Sequence, residues 1–138
     1  MVQDIPFADV KVGDKASMTK TVSEADVYTF AGVTGDFNPV HVDIEFAKQT
    51  MFKERIAHGM LSAGLISAVL GTALPGANTI YMGQELLFRA PVKIGDTVTA
   101  TVECVEKLEA KNRLIFRTTV TNQEGVLVVD GKATMLKK

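Results

Sequence analysis

Ile56-Ala57-His58-Gly59-Met60-Leu61-Ser62-Ala63-Gly64-Leu65-Ile66-Ser67-Ala68-Val69-Leu70-Gly71-Thr72-Ala73-Leu74 is the longest apolar stretch in the chain, and His58 is its only ionisable group. Two folds compete for such a run: a helix that crosses a membrane, or a helix buried inside a soluble domain. As a helix, Met60 to Leu74 reaches about 22 Å at ~1.5 Å per residue, short of the ~30 Å hydrocarbon core of a bilayer. Ser62, Gly64, Ser67 and Gly71 also dilute its apolar character. The run is therefore read as a long central helix, buried on most sides by a wrapping sheet, with no membrane contact. Gly64 and Gly71 need a reason, since a glycine costs about 1 kcal/mol relative to alanine in a helix interior. Either they let another backbone approach closely, or Gly71 merely loosens the helix end before Leu74-Pro75-Gly76.

Downstream of that stop, everything reads as extended. Thr79 to Phe88, Thr97 to Glu106, Arg113 to Thr121 and Val126 to Met135 are predicted strands. Glu109-Ala110-Lys111-Asn112 and Asn122-Gln123-Glu124-Gly125 read as hairpin loops, so the last strands form an antiparallel meander. Upstream, Val12-Gly13-Asp14 turns the chain into Lys15 to Val22, which alternates as a strand does, with Ala16, Met18, Lys20 and Val22 on one side. Ser23 with Asp26 three residues later resembles a capping box, and Val27, Phe30 and Ala31 follow with helical spacing, predicting a helix from Glu24 to Val33 that ends at Gly35. Asp43 is a candidate N-cap for a second short helix, Ile44 to about Thr50, with Phe46 and Ala47 facing the core. The order implies an α+β layout in one domain, residues 1–138, with an antiparallel sheet wrapped around a long central helix.

The 138 residues are enough for one core but not for two. Fifteen basic against sixteen acidic residues give a formal net charge of −1, so no overall field attracts nucleic acid, and none is expected as a partner. One cysteine, Cys104, cannot form an internal disulfide and sits in an alternating run where a small apolar role is expected. With no basic and apolar leader at Met1-Val2-Gln3-Asp4-Ile5-Pro6, the expected compartment is cytoplasmic.

The chemistry concentrates in Thr34-Gly35-Asp36-Phe37-Asn38-Pro39-Val40-His41. Only two histidines occur in the chain, and one of them follows an aspartate by five residues. Gly35, Asn38 and Pro39 oppose regular helix between them, which predicts a fixed non-helical turn. An acid and an imidazole on one rigid segment can share a water or a substrate proton, as general acid/base chemistry requires. The competing reading is that Asp before Asn-Pro simply forms a turn. Metal binding is the rival for a His/Asp set, but two histidines seventeen residues apart, with no paired His or Cys spacing, predict no metal. No Gly-rich phosphate loop and no Gly-x-Ser-x-Gly elbow is present.

The string Gly35-Asp36-Phe37-Asn38-Pro39-Val40-His41-Val42-Asp43, followed by Phe46-Ala47 and His58-Gly59-Met60, resembles the hydratase motif of the MaoC-like (R)-specific enoyl-CoA hydratases of the hot-dog fold superfamily. Tyr81, Gln84, Leu86, Phe88, Pro91, Val92, Gly95-Asp96 and Val98 extend the resemblance over nearly the whole chain. It implies a cytoplasmic lyase of fatty-acid or polyhydroxyalkanoate-type metabolism that hydrates trans-2-enoyl-CoA, with no cofactor, because coenzyme A is part of the substrate. It also implies Asp36 and His41 as the catalytic pair holding the water, the Gly59 amide as donor to the thioester oxygen, and supporting roles for Asn38, His58 and Ser67. Ser62 competes with Ser67 for contact with the carboxylate, and capping or turn-forming roles compete for His58 and Asn38. Lys48, Lys53, Arg55, Arg89 and Lys93 are candidates to meet the phosphates of coenzyme A. A 3-hydroxyacyl dehydratase acting on acyl carrier protein, a hot-dog thioesterase and a non-catalytic acyl-thioester binding module are the alternatives. Exposed sheet edges around one helix predict a homodimer or an assembly of dimers.

Overall fold

The computed structural model describes residues 1–138. A 3-10 turn at Phe7–Asp9 leads into strand β1 (Lys15–Thr21), helix α1 (Glu24–Thr34), the one-turn helix α2 (Pro39–Val42) and the short helix α3 (Ile44–Lys48). Then come the long helix α4 (Gly59–Thr72) and strands β2 (Thr79–Phe88), β3 (Thr97–Leu108), β4 (Arg113–Thr121) and β5 (Leu127–Lys137). The strands form one sheet in the order β1-β3-β4-β5-β2, antiparallel throughout. The β3-β4-β5 meander turns where its loops predict. Asn112 takes a left-handed φ of 51° at the first turn, and Asn122 closes the second by accepting the amides of Glu124 and Val126.

Period-two burial in the strands meets period-3.6 burial in α4. Val98, Ala100, Val102 and Cys104 of β3, with Leu114, Phe116 and Val120 of β4, are fully buried. They join Leu61, Ile66, Val69 and Leu70 of α4 in one core cluster. A one-residue slip of β3 would turn its whole apolar set out of the core, so the register is firmly specified. Two lysines fasten the N-terminal segment to this frame. Lys107 donates to the carbonyls of Phe7 and Val10 at 2.8 and 2.7 Å, and Lys137, 1% exposed, is paired with Asp4 and donates to the Ala77 carbonyl. No helix is long and apolar enough to cross a membrane.

Three expectations change. α4 is not enclosed on most sides, because Met60, Gly64 and Ser67 line an exposed face. Nothing lies within 4 Å of where a Cβ on Gly64 or Gly71 would stand, so neither glycine serves a close backbone approach within the protomer. The tight approaches are at Gly76 and Gly131, whose added Cβ atoms would lie 2.0 Å from the Gln3 and Glu85 carbonyl oxygens respectively. Finally, α3 ends at Lys48 and buries Ala47 while leaving Phe46 47% exposed. Adjacent residues on a helix diverge by about 100°, so a helix this short settles only one of them in the core.

Candidate active site

The turn that carries Asp36 is built from side-chain hydrogen bonds to backbone. Gly35 ends α1 with a left-handed φ of 82°, a conformation that glycine adopts without steric cost. The Thr34 hydroxyl donates to the Phe30 carbonyl at 2.8 Å and accepts the Asp36 amide at 3.2 Å. Asp36 Oδ1 in turn accepts the Asn38 amide at 3.2 Å, and Asn38 Oδ1 accepts the Val40 amide at 3.2 Å. The expectation of a wholly non-helical segment is corrected here: Pro39 opens a turn of helix, and Asn38 caps it. Proline at the first helical position lacks only an N–H that would have no intrahelical partner anyway. His41 therefore sits on one turn of helix facing back toward Asp36.

His41 is 8% exposed, and its Nδ1 lies 2.7 Å from the Ile56 carbonyl oxygen. A carbonyl can only accept, so Nδ1 carries the proton and Nε2 presents a lone pair. Burial holds the His41 pKa below its ordinary 6.5; the Ile56 carbonyl opposes this, His58 adds to it, and Asp36 opposes it. His58 stacks on His41, ring centroids 3.9 Å apart and planes inclined by 30°. Its Nε2 lies 2.9 Å from the Asp36 carbonyl oxygen, and Phe30 covers it from α1 with ring centroids 4.7 Å apart. One ligating atom from each of Asp36, His41 and His58 falls within 4.8 Å of the others. Two histidines and a carboxylate are a metal set in kind. One nitrogen of each ring is already spent on a backbone carbonyl, His41 Nδ1 on Ile56 and His58 Nε2 on Asp36.

These groups face a cavity of about 540 Å³ whose lining includes Asp36, His41, Gly59, Ser62, Phe88 and Arg89, with an apolar wall from Met51, Phe52, Ile56, Val92 and Val129. That volume suits a small-molecule site. The start of α4 opens into it. His58 occupies the N-cap position with no side-chain capping bond, and the Gly59 and Met60 amides donate to no protein group. The positive end of the helix is thus left free for an electron-rich atom. A Cβ on Gly59 would stand 2.7 and 2.8 Å from two atoms of the Phe88 ring, so glycine is what allows the approach.

The structure brings Asp36, His41, His58 and Gly59 together around one cavity. Asn38 holds the turn without lining the cavity. Ser67 is not brought to Asp36 within the protomer: it is exposed and lines a separate groove with Met60, Gly64, Tyr81, Met82 and Gln84. Ser62 is the serine that lines the cavity, fully buried and with its hydroxyl unpaired. Of the five candidate cations, Arg89 alone lines the cavity, and its guanidinium lies 4.0 Å from the Asp130 carboxylate. Arg55 is taken up by Glu24 and by the Tyr28 hydroxyl at 3.0 Å, Lys48 by Glu45 and Lys93 by Glu54. Sequence reasoning missed the Ile56 carbonyl and the Phe88 ring. The first is a backbone atom that leaves no trace in residue identity, and the second reaches Gly59 only through the closing of the sheet.

A sequence model described as the MaoC like domain matches residues 9–126. The (R)-specific enoyl-CoA hydratase of Rhodospirillum rubrum is 55% identical over 130 residues, spanning 94% of this chain and 90% of that protein. Among solved structures, the unliganded R-hydratase PhaJ1 from Pseudomonas aeruginosa superposes with a TM-score of 0.94 at 53% identity, covering 99% of this chain and 87% of the other. The (R)-hydratase from Aeromonas caviae involved in PHA biosynthesis gives 0.91 at 43% identity, covering 94% of this chain and 98% of the other. Both likenesses extend over the five-stranded sheet packed on α4, the hot-dog layout that the motif implies. By the extent of the match and the identities along it, the chain belongs to the MaoC-like domain family.

Proposed function

We propose that this protein is an (R)-specific enoyl-CoA hydratase, a hydro-lyase that reversibly adds water to trans-2-enoyl-CoA to give (R)-3-hydroxyacyl-CoA. The observation that carries the reading is one cavity faced by three unsatisfied groups: the Nε2 lone pair of His41, the second carboxylate oxygen of Asp36 and the free amides opening α4. A water between Asp36 and His41 gives its proton to them as its oxygen attacks the β-carbon, and the same pair returns a proton to the α-carbon. The depressed pKa of His41 keeps its ring in the basic form that this first step needs. Negative charge that gathers on the thioester oxygen meets the Gly59 amide and the positive end of α4. Arg89 stands at the cavity where a phosphate of the carrier would be met. The (R) outcome rests on the likeness to the two (R)-hydratases.

The working enzyme is proposed to be a homodimer or an assembly of dimers. β2 is a sheet edge, and around it Ile80, Met82, Leu87 and Phe88 are roughly half exposed, with Val33 at 80%, Phe37 at 59% and Met60 at 55% close by in sequence to the site. The opposite edge, β1, carries Lys15 and Lys20 and is protected by charge. A two-fold axis through the β2 side covers the apolar edge and encloses the acyl chain. The test of function is spectrophotometric. Purified protein mixed with crotonyl-CoA should bleach the conjugated-enoyl absorbance and yield the (R) alcohol; unchanged absorbance defeats the reading, whereas release of free thiol would mark a thioesterase.

A further inference from the structure

We infer that His58 is a positioning residue of this site, fixed in a single tautomer by the hydroxyl of Ser62. The activity arm of the inference rests on the hydratase reading; the structural arm does not. His58 Nε2 lies 2.9 Å from the Asp36 carbonyl, which accepts only, so Nε2 carries a proton and, in the neutral ring, Nδ1 is an acceptor. Nδ1 is buried and unpaired, and so is Ser62 Oγ; besides these two, Arg113 Nε is the one buried side-chain polar atom in the protein without a partner. An acceptor and a donor left unpaired, on residues four apart at the start of α4 and on the same cavity wall, are complementary. Residues four apart lie on one side of a helix start, and a rotation about the Ser62 Cα–Cβ bond or a single buried water is the proposed link between them. Leaving both unsatisfied would be costly. The His58 carbonyl one turn back accepts the Leu61 amide at 3.0 Å and receives no bond from Ser62 Oγ.

The resulting chain runs from the Ser62 hydroxyl to His58 Nδ1, and from His58 Nε2–H to the Asp36 carbonyl. It fastens the Asp36 backbone from behind while the same ring carries His41 on its face, 3.9 Å away. One side chain thus sets the spacing of both groups that hold the water, with both of its nitrogens turned to protein. The charged or titratable groups around it are Asp36 from the turn after α1, His41 from α2 and, on the cavity wall after β2, Arg89. Phe30 of α1 and Val129 of β5 are the apolar neighbours on these walls.

The test combines imidazole nitrogen NMR with kinetics on the full-length protein. Wild type should show His58 as the Nε2–H tautomer with a hydrogen-bonded Nδ1. Ser62→Ala should move that Nδ1 signal to the position of a free lone pair and lower kcat about 10-fold with KM within about twofold, while Ser62→Thr, which keeps the hydroxyl, restores both. His58→Ala should lower kcat by about 10²-fold and shift the acid limb of kcat/KM to higher pH, because His41 loses a stacked neighbour and gains water. His58→Gln, whose amide can still donate to the Asp36 carbonyl, should recover part of that loss. An unmoved Nδ1 signal and full turnover in Ser62→Ala would remove Ser62 from the inference. Full turnover with an unmoved acid limb in His58→Ala would overturn the positioning role, and if that variant does not fold, the Ser62→Ala result decides. Absence of hydration by wild type would sink the hydratase reading alone, with the NMR comparison still deciding the Ser62–His58 link.

Discussion

Gly59→Ala separates the catalytic from the structural role of the α4 N-terminus. The added methyl would stand 2.7 and 2.8 Å from the Phe88 ring, about 1 Å inside ordinary carbon contact. Phe88 is 54% exposed at the end of β2, so its ring can swing outward without moving backbone. Losing part of that packing costs about 1 kcal/mol by area. Against it, replacing glycine by alanine at a backbone conformation that alanine can adopt stabilises by about 0.4–1 kcal/mol through the unfolded chain. The two nearly cancel, and the melting temperature should stay within about 5 °C of wild type. Catalysis has no such compensation. A methyl over the amide, or a thioester held away from it, removes an oxyanion donor, a loss of about 10²–10³-fold in kcat, or roughly 3–4 kcal/mol. The assay pairs crotonyl-CoA hydration with thermal unfolding. Near-wild-type kcat would refute the role given to the Gly59 amide. A large fall in melting temperature would instead indict the packing estimate, and Gly59→Ala with Phe88→Leu should then recover stability without activity.

Asp36→Asn and His41→Gln should each lower turnover by about 10²-fold or more while leaving the unfolding transition in place, and the double variant should lose little beyond the worse single one because both serve one water. For pH, His41 must be neutral to act as base, and its folded pKa is depressed chiefly by burial, so the acid limb of kcat/KM should fall with a midpoint below 6.5. The same shift acts on stability. Between 6.5 and the lower folded value the unfolded chain binds the proton that the folded ring refuses, so the His41 contribution is present above 6.5 and lost as pH falls through that window; His41→Gln should flatten that part of the melting curve against pH. Light scattering should find a dimer or a multiple of it at micromolar concentration, and Met82→Asp on the exposed β2 edge should give monomers; a monomeric wild type would contradict the proposed assembly.

How much of this could be read in advance differs by element, for physical reasons. The capping box at Ser23 forms with both its bonds, Asp26 to the Ser23 amide at 2.9 Å and the Asp26 amide to Ser23 Oγ at 3.1 Å. A local signal of this kind is complete within four residues and survives tertiary context. The strands of the meander were legible for a similar reason, since alternation and turn residues are local. The open face of α4 was not, because Gly64 and Ser67 suit a buried face and an exposed one equally well. Ser67 and Ser62 likewise differ in sequence only by their place around the helix, and the position of the cavity decides which one lines it. Asp36 and His41 stand out in the sequence because their types and spacing suit acid/base chemistry, and the fold places both on one cavity. The Ile56 carbonyl, which fixes the His41 tautomer, belongs to the backbone and is visible only in the fold.

In the proposed mechanism Asp36 and His41, standing on one short segment, hold one water against one face of the enoyl group. The cavity lining holds no carboxylate besides Asp36, so the oxygen and the returned proton are expected from the same side. Hydration of crotonyl-CoA in D₂O, with both centres of the product assigned, tests this most directly. Syn addition with an (R) alcohol is expected; anti addition would contradict the single-water mechanism, and a syn product with an (S) alcohol would contradict the orientation of the thioester toward Gly59.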